Sequence, residues 1–267
     1  MSKKKHTIRS IVSSKRKNKL TMITAYDSLF GKIFDSEEAG IDLILVGDSM
    51  NMSFNGENDT LSIGMDEMIY HTKAVCRGAK NTFIIADMPF GSYTDKKIAF
   101  KNAHRFYSET CADSVKIEGG VEKAETIEFL TQNGVAVVGH IGLTPQSFRG
   151  EGGYFVKGKD DESTIQLLKD AEAIERAGAF AIVIEGVKSE VAKQISESVN
   201  IPTIGIGAGR ETDGQVLVWS DMLGFFDAFK PKFVKRYLNG AEIVRNAVKE
   251  YSQDVKSKKF PFDENTY

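Results

Sequence analysis

Cysteine is nearly absent from the sequence: Cys76 and Cys111 are the two it contains. Neither has a CxxC partner and both fall in stretches with helical patterning. That argues against a zinc site, and for buried thiols in a reducing compartment over a disulfide. Proline is sparse too, five in 267 residues, scattered and never gathered into a linker. No low-complexity tract interrupts the chain. Long apolar runs are missing: none approaches the ~20 residues a membrane helix needs. The start lacks the apolar core and small-residue cleavage site of a secretory signal. These absences favour a cytoplasmic protein. Net charge is small, −2, which argues against a broad nucleic-acid-binding face.

What is present is a soluble globular composition, 41% hydrophobic and 27% charged. The length suits one (β/α) barrel and a core that needs no covalent staples. We expect a single barrel domain over 1–267, with a basic leader over 1–19 and a polar tail over 251–267. The leader holds Lys3, Lys4, Lys5, Arg9, Lys15, Arg16, Lys17 and Lys19. It reads as a solvated segment or a helix closing one barrel end, in preference to a nucleic-acid arm.

Short apolar runs recur along the chain: Leu20–Ala25, Asp42–Val46, Thr82–Ala86, Ser114–Ile117, Val135–Val138, Phe180–Ile184, Pro202–Ile206 and Gln215–Val218. Runs rich in Val and Ile, apolar on both faces, suit parallel strands covered on both sides. Between most of them lie helical patterns. Ser28–Ala39 puts Phe30, Ile33 and Phe34 on one face before Gly40. Met65 to Ala79, and Ile165, Leu168, Ala171 and Ile174, follow the same spacing and read as core faces. The gap between the last two runs is too short for a helix. The pattern predicts an α/β fold, a (β/α)8 TIM barrel, with an open doubly wound sheet as the rival.

In such a barrel the active site forms where strands end. The second run ends in Gly47-Asp48-Ser49, the third in Asp87-Met88-Pro89, the fourth in Lys116-Ile117-Glu118, the fifth in Gly139-His140 and the sixth in Glu185-Gly186. One strand-end Asp is usually a helix cap or a turn former. Asp48, Asp87, Glu118 and Glu185 on one rim are different, because clustered carboxylates need a cation or a shared proton. Hard oxygen donors without a His/Cys cluster favour Mg²⁺, which takes one or two carboxylates directly. At least one carboxylate is then free as a base, and Glu185 is the candidate. Lys116 lies two residues from Glu118 and shares its strand face. It suits either a Schiff base or, with a metal present, a substrate carboxylate. His140 reads equally as a structural residue or a substrate contact. Gly205 to Gly209 fails the dinucleotide fingerprint and reads as a tight turn or a phosphate loop.

These residues sit in segments that resemble the ketopantoate hydroxymethyltransferase (3-methyl-2-oxobutanoate hydroxymethyltransferase) family. The segments are Thr24–Asp27, Gly47–Ser49, Met65–Thr72, Ala86–Phe90, Val115–Gly119, Gly139–Gln146, Ile184–Glu185, Ile204–Gly209, Asp213–Val218 and Pro231–Lys235. They span nearly the whole chain in family order. The resemblance implies a (β/α)8 barrel and a hydroxymethyl transfer from 5,10-methylenetetrahydrofolate to the enolate of 3-methyl-2-oxobutanoate. It gives 2-dehydropantoate in pantothenate biosynthesis. It further implies Mg²⁺ held by Asp48, Asp87 and Glu118, oxo-acid contacts from Asp48, Ser49, Asp87 and Lys116, and Glu185 as proton acceptor. His140 lines the same pocket, and the assembly is a cytoplasmic homodecamer. One departure stands out: the family commonly has Gly-Asp-Ser-Leu-Gly where this chain has Gly47-Asp48-Ser49-Met50-Asn51. A side chain at Asn51 is expected to restrict the backbone on the folate side.

Three rivals bear on the function. Phosphoenolpyruvate mutases and isocitrate lyases share an acid-rimmed barrel, but their Lys-Lys-Cys-Gly-His stretch is missing here. A Schiff-base aldolase would work through Lys116. A non-catalytic oxo-acid-binding barrel would need none of the rim residues.

Overall fold

The computed structural model of the chain describes residues 4–226 and 230–267. Lys3 of the basic leader lies outside them. The chain divides into two units, Met1–Val218 and Trp219–Tyr267. All eight strands lie in the first, as β1 Leu20–Thr24, β2 Leu43–Val46, β3 Phe83–Asp87, β4 Ser114–Glu118, β5 Val137–Gly142, β6 Ala181–Glu185, β7 Thr203–Ile206 and β8 Gly214–Leu217. They close in sequence order, each parallel to the next, and β8 returns to β1. The open doubly wound alternative is thereby excluded. No helix separates β7 from β8, as their spacing required.

The barrel interior follows from the period of two along each strand. Leu43 and Leu45 of β2, Phe83 and Ile85 of β3, and Val138 and Val183 further round belong to one buried cluster. Continuing the same parity upward gives Asp87 on β3, Lys116 and Glu118 on β4, His140 on β5 and Glu185 on β6. The interior face therefore changes from apolar to ionisable at the C-terminal ends. Gly47 falls at the inward position beyond β2, where a Cβ would lie 2.9 Å from Ser49 Oγ and 3.3 Å from Asp87 Oδ2. Glycine keeps that space open for the Asp87 carboxylate.

Strand β5 runs four residues beyond the end read from the sequence. Gly139, just past the run read from the sequence, lies inside the strand, and a Cβ there would meet Ile174 Cγ2 at 2.5 Å. The glycine lets the helix Asp161–Arg176 pack closely on the sheet.

The leader forms a helix, Ile8–Ser13, capped by Thr7, and Ile11 is fully buried in the barrel cluster. Lys5 pairs with Asp113 at 2.8 Å, His6 with Asp42 at 3.1 Å and Lys15 with Asp213 at 2.8 Å. All three acids precede strands, so the leader closes the N-terminal end.

Two helical faces depart from expectation. The helix read as Ser28–Ala39 stops at Asp35 and leaves Ile33 exposed, while Phe34 is buried. In Asp161–Arg176 the buried stripe runs through Leu167, Ala171 and Ile174, and Ile165 is exposed. At about 100° per residue, Ile165 lies roughly 200° from Leu167 and faces outward. The cysteines also differ from the free thiols expected. Cys76 lies in the last turn of one helix, Cys111 in the loop after another, and they form a disulfide with Cα atoms 5.7 Å apart. Their separation of 35 residues gave no local motif to read; the adjacency of the two outer helices brings them together.

In the second unit, the helix Gly240–Lys256 carries into what the sequence shows as a polar tail. It exposes Ile243, Val244, Val248, Tyr251 and Val255. Among the described residues, no helix is long and apolar enough to cross a membrane.

Candidate active site

Five of the sequence-selected residues meet inside the barrel mouth. The register pairs Asp87 with Lys116 and Glu118 with His140, and places Glu185 opposite Gly142, one inward position higher. Lys116 Nζ lies 2.8 Å from Asp87 Oδ1 and 3.8 Å from Glu118 Oε1. His140 Nδ1 is 3.1 Å from Lys116 Nζ and 3.4 Å from Glu118 Oε1. On its other side, His140 Nε2 is 3.3 Å from Glu185 Oε2, an ion-pair distance without hydrogen-bond alignment. Asp48 joins from the turn after β2, its backbone N–H donating to Asp87 Oδ2 at 3.0 Å.

Burial decides the electrostatics. Asp48, Asp87, Lys116, Glu118 and His140 are nearly inaccessible, whereas the Glu185 side chain is 21% exposed. Desolvation, then the neighbouring Asp87 and Glu118, push the Asp48 carboxyl well above the usual range. Desolvation raises Asp87 as well, although Lys116 opposes it. Glu118 is buried too, yet His140 and Lys116 hold it below the ordinary value. Burial pulls Lys116 down, but Asp87, Glu118 and Asp48 more than offset it and the ammonium persists. For His140, burial and Lys116 push down, and the carboxylates of Glu118 and Glu185 win, giving about 9. Whether the imidazole is charged or neutral with Nδ1 accepting from Lys116, Nε2 carries a hydrogen toward Glu185.

Ser49 lies beside Asp48, but its hydroxyl bonds to Tyr26 OH at 3.0 Å. Asn51 does not strain the backbone: it sits in the helical turn Met50–Ser53 and has no positive φ. Its side chain instead donates to Asp59 O at 2.7 Å and Ser62 Oγ at 2.9 Å, pinning the 59–62 loop. In the turn from Gly205 to Gly209, a Cβ on Gly209 would lie 2.6 Å from Ser189 Cβ.

Gln146 and Tyr93 belong to the site and were not selected from sequence. Gln146 is buried, and its backbone N–H donates to Glu118 Oε2 at 3.0 Å. Its side-chain Nε2 donates to Asp48 Oδ2 at 2.7 Å, and the Tyr93 hydroxyl donates to its Oε1. Thr144-Pro145-Gln146 was visible as a motif, but a glutamine after a proline turn carries no mark of burial. A cavity of about 460 Å³ opens beside Glu118, Gln146 and Tyr93.

Among the described residues, no three His, Cys, Asp or Glu side chains already surround one point as a closed metal cage. The donor set nonetheless fits a hard cation. Among the described residues Asp48 makes no direct ion pair and only shares the field of Lys116, and Asp87 Oδ1 is buried without a hydrogen bond despite its ion pair with Lys116. A site using one or two carboxylates, completed by water or substrate oxygens, is how Mg²⁺ is ordinarily held.

Fold and site together define a (β/α)8 barrel whose mouth gathers buried carboxylates around one lysine and one histidine. A profile of the family described as ketopantoate hydroxymethyltransferase matches residues 5–263. Curated relatives named 3-methyl-2-oxobutanoate hydroxymethyltransferase include one from Wolinella succinogenes, 58% identical over 261 residues and covering 98% of each chain. Another, from Aliarcobacter butzleri, is 61% identical over 263 residues and covers 98% of this chain and 97% of the relative. The chain belongs to the ketopantoate hydroxymethyltransferase family. Similar solved structures include a phosphonopyruvate hydrolase complex with oxalate and Mg²⁺, with TM-score 0.62, 13% identity and coverage of 99% and 93%. A 2,3-dimethylmalate lyase aligns with TM-score 0.60, 15% identity and coverage of 97% and 91%. At those identities they speak to the barrel alone.

Proposed function

We propose that this chain transfers a hydroxymethyl group to 3-methyl-2-oxobutanoate, giving 2-dehydropantoate for pantothenate biosynthesis, with 5,10-methylenetetrahydrofolate as donor. Family membership supports the transfer. The observation that carries the chemistry is the convergence of Asp48, Asp87, Lys116, Glu118, His140 and Glu185 on one buried mouth.

Asp48 and Asp87, with Glu118 directly or through water, would hold a Mg²⁺ ion. When bound, that cation supplies Lewis-acid stabilisation of the charge developing on the keto oxygen. Lys116, fixed by Asp87 and kept cationic, attracts the substrate carboxylate. Ser49 and His140 border the same anion. Glu185, more open than the other carboxylates, accepts the proton from C3, with His140 Nε2 facing it at 3.3 Å. The electron pair left on C3 forms the new carbon–carbon bond to the donor's one-carbon unit. Water completes the hydroxymethyl group as the folate nitrogen leaves. The rival Schiff base is disfavoured because an ammonium clamped by two buried carboxylates is a poor nucleophile.

The uncovered apolar stripe on Gly240–Lys256 supports a homo-oligomer. The homodecamer and the cytoplasmic location rest on family resemblance. In the cytoplasm the Cys76–Cys111 pair would meet a reducing pool. The deciding measurement is hydroxymethyl transfer with methylenetetrahydrofolate, alongside deuterium exchange at C3 without folate. Metal-dependent exchange is expected, and folded protein that exchanges nothing and transfers nothing would refute the reading.

A further inference from the structure

Asp48 is poorly held for a residue in so crowded a place. Among the described residues, its carboxylate accepts one hydrogen bond, from Gln146 Nε2 at 2.7 Å. Among the described residues, no second hydrogen bond holds that carboxylate. Gln146, by contrast, is fully engaged. Its two amide hydrogens go to Asp48 Oδ2 and, at 3.0 Å, to the Met88 carbonyl. Its Oε1 accepts from Tyr93, and its backbone N–H goes to Glu118 Oε2.

The orientation of the amide is determined. A flip would set Oε1 against the Asp48 carboxylate and the Met88 carbonyl, two acceptors, with no donor between them. Tyr93 closes the arrangement by donating to the oxygen that the correct orientation presents. Tyr93 is buried, and desolvation together with the nearby carboxylates keeps its phenol protonated. One residue thus reaches two of the carboxylates through two different groups, the side chain to Asp48 and the main chain to Glu118.

We propose that Gln146, locked by Tyr93, is the positioning residue that sets the Asp48 carboxylate for a divalent cation. The proposal rests on the cation site described above. Gln146 does not contact the cation; it acts through Asp48, as hydrogen-bond partners behind ligands generally do.

The test uses Mn²⁺ as probe, followed by electron paramagnetic resonance, on the full-length protein as it assembles. Gln146→Met keeps the bulk of the side chain and removes its donors, while the main-chain bond to Glu118 survives. Mn²⁺ affinity should fall by about 10- to 100-fold, the range for lost partners behind metal ligands. The spectrum of the bound ion should change, read well below the thermal midpoint of the chelated variant, which should itself fall because Met88 O and Tyr93 OH lose a buried partner. Tyr93→Phe keeps the amide but removes its lock, and should weaken Mn²⁺ by about 2- to 10-fold, the worth of one hydrogen bond. Wild-type protein that binds no Mn²⁺ overturns the cation site and this inference with it. Wild-type binding with unchanged affinity and spectrum in Gln146→Met overturns the positioning role alone. If Gln146→Met fails to fold, Tyr93→Phe decides, and an unaltered Mn²⁺ titration there refutes the lock.

Discussion

The two ends of the barrel use the same residue types to opposite effect. At the N-terminal end three carboxylates each meet a separate partner from the leader: Asp42 the His6 ring, Asp113 Lys5 and Asp213 Lys15. Burial pushes Asp213 upward, but Lys15 and the N–H groups of Thr203 and Arg16 hold it below the ordinary Asp value. At the C-terminal end Asp48, Asp87, Glu118 and Glu185 share Lys116 and His140, and burial leaves Asp48 and Asp87 raised. A saturated set of ion pairs closes a structure. An unsaturated set retains attraction for a cation that is not part of the chain.

The largest break in this contrast should come from Glu185→Gln. It removes the proton acceptor and should slow C3 deuterium exchange by roughly 10²- to 10⁴-fold. Oxo-acid binding, followed by calorimetry, should hold, and lost binding would make Glu185 a binding residue instead. At the opposite end, Lys15→Met strands Asp213 and should cost about 3 kcal/mol in urea unfolding, with exchange per folded molecule unchanged. The sign with pH follows from the lowered folded-state Asp213 value: its stabilisation is present above the ordinary 3.8 and is lost as pH falls below it. The deficit of Lys15→Met should therefore shrink in acid, and a deficit that grows there would show that Asp213 is not the partner. Next in size is the gain from a divalent cation. At about 100 times its Kd, Mg²⁺ should stabilise the wild type by roughly 2.7 kcal/mol in a thermal shift. Asp48→Asn should abolish that gain, and an equal shift in the variant would remove Asp48 from the ligand set. The smallest effect should follow Asn51→Gly, which releases the 59–62 loop. About 1–2 kcal/mol should be lost, with faster proteolysis there and normal exchange; an unchanged cleavage rate would deny Asn51 its clasp.

Much of the barrel was legible because parallel strands buried on both faces write themselves as Val/Ile runs. All eight runs became strands, and the acids after them became the mouth. What escaped was information carried by neighbours in space. The fifth run was read only to Val138, and the reason a glycine continues that strand, Ile174, is 35 residues away. Cys76 and Cys111 gave no local sign of pairing. Ile33 and Ile165 are apolar but face outward, since a composition stripe does not say which edge meets the sheet. Gln146 lay inside a quoted motif, yet its importance comes from Asp48, Met88, Glu118 and Tyr93 converging on it.

The clasp between Lys15 and Asp213 also bears on the order of events in the cell. Its partners are 198 residues apart. At a synthesis rate of about 5–20 residues per second, the lysine is incorporated roughly 10–40 seconds before its aspartate. During that interval Ile11 has no finished barrel to plug, and the apolar floor made by the early strands stands open. Completion waits on the last strand, whose arrival supplies both the closing hydrogen bonds and the anchor for the leader. A nascent chain of this kind is exposed to wrong partners until that strand is made.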